Sequence, residues 1–395
     1  MDHFQARHYA TSKPVAISIQ DGRISSVDDF SCDAGIAAEL PFVSPGFFDI
    51  QINGYGGIWF SNESLTVEDV VRVTESLVAK GIAGYFPTLI TASFEALHHG
   101  FSVLRQACDE SDLVNRCVRG YHLEGPYISS EDGPRGAHPL QHVRGADWDE
   151  FSRLQEASGG RIRLVTLAAE ADNAASFIRN CRDAGVVVAL GHMAAKSSEI
   201  HEAVEAGAQL STHLGNGAHG SLPRHPNYLW DQLANDGLWA SVIADGWHLP
   251  DAVLQCVLKC KTVEKIILTC DVSGFAGCAP GRYEEGDMAV EVLKDGRLVV
   301  AGQRQFLAGS GATTGDCIVG AMNSCKLTLG AAVQMATINP GKLLQESIPV
   351  LKAGEIATLS VFQIASQEID TVNPTFEPVA TYVNGTRYGG QPNDP

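Results

Sequence analysis

From residue 46 to residue 271 the chain repeats one hydrophobic pattern: a short apolar, β-prone run, then a stretch with helical spacing. The runs cover 46–53, 82–88, 118–124, 162–168, 186–192, 208–213, 239–245 and 265–271, eight in all. Short continuous apolar strands suit a parallel sheet covered on both faces. Between them, Val253, Leu254, Val257 and Leu258 form an apolar stripe within 251–261. Val70, Val71, Val73, Thr74, Leu77 and Val78 do the same within 67–80, and Gly81 can end that helix. Eight such alternations predict an α/β fold built on a (β/α)8 TIM-like barrel, with an open doubly wound sheet as the alternative. The two ends have a different texture. Residues 15–19 and 23–27 are β-prone runs joined by Asp21-Gly22, a hairpin signal. Residues 357–362 and 380–383 are further strand candidates, the second followed by Asn384-Gly385. The expectation is a small β-sandwich domain made of 1–44 and 350–395, flanking a barrel of 45–349.

Composition narrows the class. The chain has 395 residues, 45% of them apolar and 19% charged, which excludes a disordered or fibrous protein. Lys and Arg number 28 against 46 Asp and Glu, a net charge of −18. Such a body is a poor partner for nucleic acid or anionic lipid. Apolar runs fall short of the ~18 residues that suggest a membrane span. Ten cysteines are scattered without a CxxC pair, and the first residues lack an apolar signal core. Reduced thiols and a cytoplasmic protein are expected. Gly54-Tyr55-Gly56-Gly57 lacks GxGxxG spacing, so no dinucleotide site is expected.

The polar residues decide between barrel and open sheet. Barrel chemistry collects at the C-terminal ends of the strands. Glu124, His192, His213 and Asp271 end four of the runs, and Gln51 and Asn53 end the first. Two histidines, a carboxylate and an open position make a catalytic zinc-type set. Asp271 is the candidate to take a proton from bound water and pass it to a leaving group. His122, two residues from Glu124, points to the same face and is read as support for the ligands. Gln51 and Asn53 are poor zinc ligands, and no lysine lies in 161–170 to bridge two ions, so one divalent metal per chain is expected. Zinc is the first choice; iron and manganese tolerate the same set.

These residues sit in PGFFDIQING, HLEGPY, GHMAAK, STHLGNG, ADGWH and LTCDVSG. In order and content the motifs resemble those of the amidohydrolase superfamily, and most closely the N-acetylglucosamine-6-phosphate deacetylase family, over nearly the whole chain. The resemblance implies hydrolysis of the N-acetyl amide of a hexosamine 6-phosphate. It implies Glu124, His192 and His213 as metal ligands and Asp271 as general acid/base. It further implies His138 at the scissile carbonyl, Arg224 and His248 on phosphate and sugar, and Asn216 with Gly217 in the phosphate-side loop. A LAGS segment places Leu307 at the acetyl group. The arginine reaches across from a second subunit in that family, so a homodimer is implied. Two stretches depart from the family pattern. THLGNGAH replaces a THLYNAM-like segment, and SLPRHPN stands where Gly-Arg-Glu-Pro-Gly is usual. This keeps two rivals open: an amidohydrolase for unphosphorylated N-acyl amino sugars or other N-acyl compounds, and a non-catalytic sugar-binding relative.

Overall fold

The computed structural model describes residues 2–286, 288–365 and 375–389. Eight parallel strands form one sheet in chain order: β1 (Phe47–Ile52), β2 (Ile82–Ile90), β3 (Tyr121–Glu124), β4 (Ile162–Leu167), β5 (Val187–Leu190), β6 (Leu210–Ser211), β7 (Trp239–Val242) and β8 (Ile266–Leu268). The sheet closes on itself where Ile52 pairs with Val272 and the Asn53 N–H donates to the Val272 carbonyl at 3.0 Å. Strands β1, β3, β5 and β8 are buried along their whole length, as continuous apolar runs between core and helices must be. The barrel is therefore the observed architecture, and the strand ends carrying the polar residues share one mouth.

The helices follow the amphipathic stripes. In Val67–Val78 the buried face is Val70, Val73, Thr74, Leu77 and Val78. Its start is fixed by a reciprocal cap: Asp69 N–H donates to Thr66 Oγ1 at 3.2 Å and Thr66 N–H donates to Asp69 Oδ2 at 3.1 Å. Gly81 follows with φ +89°, a conformation open to glycine.

Seven strands from the two chain ends make a second sheet, ordered Thr386–Gly389, Thr375–Val383, Leu359–Ala365, Phe42–Pro45, Asp2–His8, Pro14–Gln20, Arg23–Asp29. Both sequence-marked turns are present. Asp21 and Gly22 have φ +51° and +76°, Asn384 and Gly385 +49° and +83°, the positive pair that a two-residue hairpin requires. The sheet has its own core of Phe4, Ile17, Ile19, Val43, Leu359, Val361 and Tyr382. It is joined to the barrel by aromatic rings: Phe47 of β1 lies 5.5 Å from Phe362 and 5.7 Å from Phe376.

A third sheet was not expected. Gly281–Glu285, Met288–Val292, Leu298–Val300 and Gln303–Leu307 form a four-stranded antiparallel insert after β8. Leu307, the first residue of the LAGS segment, ends its last strand. The insert packs Val290, Val292 and Leu298 on Trp59 and Phe275, which ties it to the barrel mouth. No helix among the described residues is long and apolar enough to cross a membrane.

Phe362 is fully buried at the junction of sheet and barrel. Phe362→Ala is expected to cost about 3–5 kcal/mol of stability, read by denaturant unfolding, without changing metal stoichiometry. A loss below about 1 kcal/mol would show that the junction is not a structural link.

Candidate metal centre and active site

Three side chains meet at one point. Glu124 Oε1 lies 3.2 Å from His192 Nε2 and 2.9 Å from His213 Nε2, and the two imidazole nitrogens are 3.1 Å apart. All three residues are buried. The His192 Nδ1–H donates to the Pro134 carbonyl at 2.9 Å, which leaves the Nε2 lone pair facing the cluster. An acceptor nitrogen pointed at a second nitrogen and a carboxylate oxygen is unfavourable unless a positive charge sits between them. The donor set is therefore suited to a divalent cation with three protein ligands and an open position. The charge balance says the same. Burial would raise Glu124, yet its contacts with His192 and His213 outweigh this and hold it well below its usual range. Burial would lower His192, yet Glu124 raises it.

Asp271 joins this cluster through amides. Gln51 Nε2 donates to Glu124 Oε1 at 2.8 Å and to Asp271 Oδ1 at 3.0 Å; Asn53 Nδ2 donates to Asp271 Oδ1 at 2.7 Å. The amides at the end of β1 thus hold two carboxylates near each other. Burial first, and the Glu124 charge second, push Asp271 up to about 6. The backbone bends sharply here: His192, His213 and Asp271 have φ of +51°, +27° and +50°. Non-glycine residues adopt such angles at a cost, and they concentrate where strand ends must aim side chains into a site.

His138 stands beside the cluster. Its Nε2 is 4.0 Å from Glu124 Oε2, its ring centroid is 4.3 Å from that of His192, and its Nδ1 lies 2.8 Å from Thr91 Oγ1. Burial, with the neighbouring His192 charge, lowers it to about 3, so the ring is neutral. His122 is not part of the cluster's contacts. Its nitrogens meet Thr166 Oγ1 at 2.8 Å and Thr88 Oγ1 at 3.3 Å, and burial lowers it to about 4.

Around these groups lies a cavity of about 520 Å³, within the range of small-molecule sites. Asn53, Glu124, His138, His192, His213 and Asp271 line its floor, and Asn216, Gly217, His248 and Leu307 its walls. Gly217 needs to be glycine: at φ +57°, a Cβ there would stand 2.9 Å from His192 Nδ1. Arg224 is the exception. It is exposed and does not line the cavity of its own chain. His219, the last residue of THLGNGAH, is engaged: Nε2 meets Glu131 Oε2 at 3.0 Å and Nδ1 meets Tyr228 Oη at 3.0 Å.

Trp247, Arg297, Arg304 and Phe306 are among the wall residues to which the sequence reading gave no role. Three of them come from the unexpected insert. Its signal was Asp295-Gly296 between two β-prone runs, the same dipeptide that marks the hairpin at Asp21-Gly22. Among the described residues lining the cavity, Arg297 and Arg304 are its only lysine or arginine side chains. Both are paired, Arg297 with Asp295 at 2.7 Å and Arg304 with Glu291 at 2.6 Å, and Arg297 also stacks 4.6 Å over Trp247.

Comparison with known proteins agrees with this geometry. Residues 42–387 match the Amidohydrolase family. The N-acetylglucosamine-6-phosphate deacetylase of Bos taurus is 33% identical over 311 residues, 76% of this chain and 74% of that one. The chain belongs to the amidohydrolase family, in its N-acetylglucosamine-6-phosphate deacetylase branch. Among solved amidohydrolase structures, the N-acetyl-D-glucosamine-6-phosphate deacetylase of Mycobacterium smegmatis, in complex with N-acetyl-D-glucosamine-6-phosphate, superposes with a TM-score of 0.83. It shares 28% identity, with 98% of this chain and 99% of that one covered. An N-acetylgalactosamine-6-phosphate deacetylase of Escherichia coli is also similar, 28% identical over 83% of this chain and 84% of its own. As an amidohydrolase the chain is a metal-dependent hydrolase.

Metal uptake reports on the site. One divalent ion per chain is expected by elemental analysis, and His192→Ala or His213→Ala should abolish tight binding. Asp271 holds its proton below about 6 and loses it above. A cation beside it favours the ionised form, so binding at about pH 5 expels that proton, and Asp271→Asn removes this component. Calorimetry in two buffers of different ionisation enthalpy reads the difference; equal proton release by both proteins would refute it.

Proposed function

We propose that this amidohydrolase deacetylates an N-acetylhexosamine 6-phosphate, with N-acetylglucosamine 6-phosphate the first candidate, giving the amino sugar phosphate and acetate. The observation that carries the reading is the meeting of Glu124, His192 and His213 with Asp271 held at hydrogen-bond range of the same Gln51 amide. A sugar-binding relative without catalysis needs no such base.

Glu124, His192 and His213 hold one divalent cation, zinc by preference, which supplies polarisation of a carbonyl and acidification of water. Asp271, whose ionised form a bound cation would favour, accepts the proton of the attacking water. It then returns the proton to the sugar nitrogen as the C–N bond breaks. Gln51 and Asn53 orient its Oδ1 throughout. His138 stays neutral; with Thr91 donating to Nδ1, its Nε2–H is offered to the acetyl oxygen. Leu307 closes on the acetyl methyl, and Asn216, Gly217 and His248 contact the sugar phosphate. The ten cysteines are all free, which suits a reducing cytoplasm.

Arg224 holds the phosphate of a neighbouring subunit's substrate in a homodimer. A second reading rests on Arg297 and Arg304, which already line the cavity within one chain.

The first test is acetate release from N-acetylglucosamine 6-phosphate against unphosphorylated N-acetylglucosamine. The phosphosugar should be strongly preferred; equal rates would remove the phosphate from the reading. Asp271→Asn should lower kcat by about 10²–10⁴-fold while retaining metal, and near-native turnover would refute the base assignment.

Arg224→Ala should raise KM for the phosphosugar alone. Mixing and re-equilibrating Arg224→Ala with Asp271→Asn chains should restore activity, because one site then regains both groups. If mixing fails and Arg297→Ala reproduces the KM defect, the cation acts within its own chain.

A further inference from the structure

His248, placed above against the substrate, carries a buried polar atom without a partner. The His248 imidazole is 1% exposed, lines the cavity, and places Nδ1 2.8 Å from Asp245 Oδ2. Its Nε2 is buried and has no hydrogen-bond partner. An unpaired buried nitrogen is costly, so at a cavity wall it marks a bond that a ligand completes.

Asp245 determines what that nitrogen can do. The carboxylate is 3% exposed and satisfied on both oxygens. Oδ1 accepts from the Trp247 and His248 N–H groups at 2.9 and 3.0 Å. Oδ2 accepts from His248 Nδ1–H and, at 2.9 Å, from Ser310 Oγ. Burial alone would raise Asp245, but the His248 contact and the two backbone donors outweigh it and keep the group ionised. An ionised carboxylate cannot donate, so Nδ1 carries a ring hydrogen, and the imidazole tautomer this selects has its lone pair on Nε2. Ser310 ties this bracket to the catalytic strand end. Its N–H donates to the Asp271 carbonyl at 2.9 Å, and its carbonyl accepts from Ser273 N–H at 2.9 Å.

We infer that Asp245, braced by Ser310, is a positioning residue that makes His248 a hydrogen-bond acceptor for one hydroxyl of the pyranose substrate. The inference rests on the proposed function for the identity of the sugar. It assigns residues that touch no substrate and says which property of the sugar they select: a hydroxyl able to donate. A site built around such a bond discriminates strongly against an analogue that lacks the hydroxyl.

Asp245→Asn tests this with little change of shape. The amide oxygen can still face the two backbone donors, while its NH2 faces His248 Nδ1 and moves the ring hydrogen to Nε2. The expected result is a KM raised roughly tenfold to a hundredfold with kcat nearly unchanged. With the wild-type enzyme, the 3-deoxy or the 4-deoxy substrate should show a rise of the same size. With Asp245→Asn, deleting that same hydroxyl should add nothing. Ser310→Ala should move KM in the same direction by less. Nitrogen-15 spectra of the wild-type protein, with His248 assigned by comparison with His248→Gln, should show a protonated Nδ1 and a bare Nε2, independently of any variant's folding. Additive losses, a fall in kcat at constant KM, or a protonated Nε2 in the wild-type protein would overturn the inference. If the wild-type enzyme releases no acetate from the phosphosugar, the proposed function fails, and the tautomer measurement still decides this assignment.

Discussion

The mouth of this barrel is organised around one buried carboxylate. Glu124 sits at the end of β3, almost without solvent, where an ionised group is costly unless opposite charge and hydrogen bonds surround it. Its Oε1 alone is contacted by Gln51, His192 and His213. Those contacts come from β1 and from the ends of β5 and β6, so the carboxylate can be satisfied only when the barrel has closed. The same crowding raises Asp271 and lowers His138. Burial is the larger cause at both groups, the Glu124 charge adding to it at Asp271 and opposing it at His138, and a cation bound there would complete the balance.

Closure of the barrel and assembly of the site are the same event. The Ile52–Val272 pairing joins β1 to the segment just after Asp271, and it brings Gln51 and Asn53 against that carboxylate. The left-handed backbone at His192, His213 and Asp271 shows what the arrangement costs. A parallel strand ordinarily points alternate residues inward and outward; a sharp bend at its end re-aims a side chain toward the axis. Packing along the fully buried strands supplies the stability that tolerates these bends.

The cavity is completed by parts from elsewhere. The insert after β8 leans on Trp59 and Phe275 and contributes Arg297, Arg304, Phe306 and Leu307 to the wall. Ser310, just beyond it, bonds both to Asp245 and to the Asp271 backbone. Floor and wall are therefore braced against each other, with chemistry on the rigid barrel and much of the outer wall on an attached sheet.

Much was legible in the sequence because it depends on local chemistry. Period and spacing gave away the eight strands and the helices between them, since burial on both faces demands continuous apolar runs. Asp21-Gly22 and Asn384-Gly385 announced their hairpins because few residue pairs tolerate two positive φ angles. Glu124, His192, His213 and Asp271 stood out because each ended a strand. Other features were decided by the tertiary structure. No spacing rule says that Gln51 would bridge two carboxylates, that Ser310 would brace Asp245, or that Arg297 rather than Arg224 would line the cavity of its own chain. These contacts join residues far apart in sequence, and their geometry exists only after barrel, insert and terminal sheet have packed together.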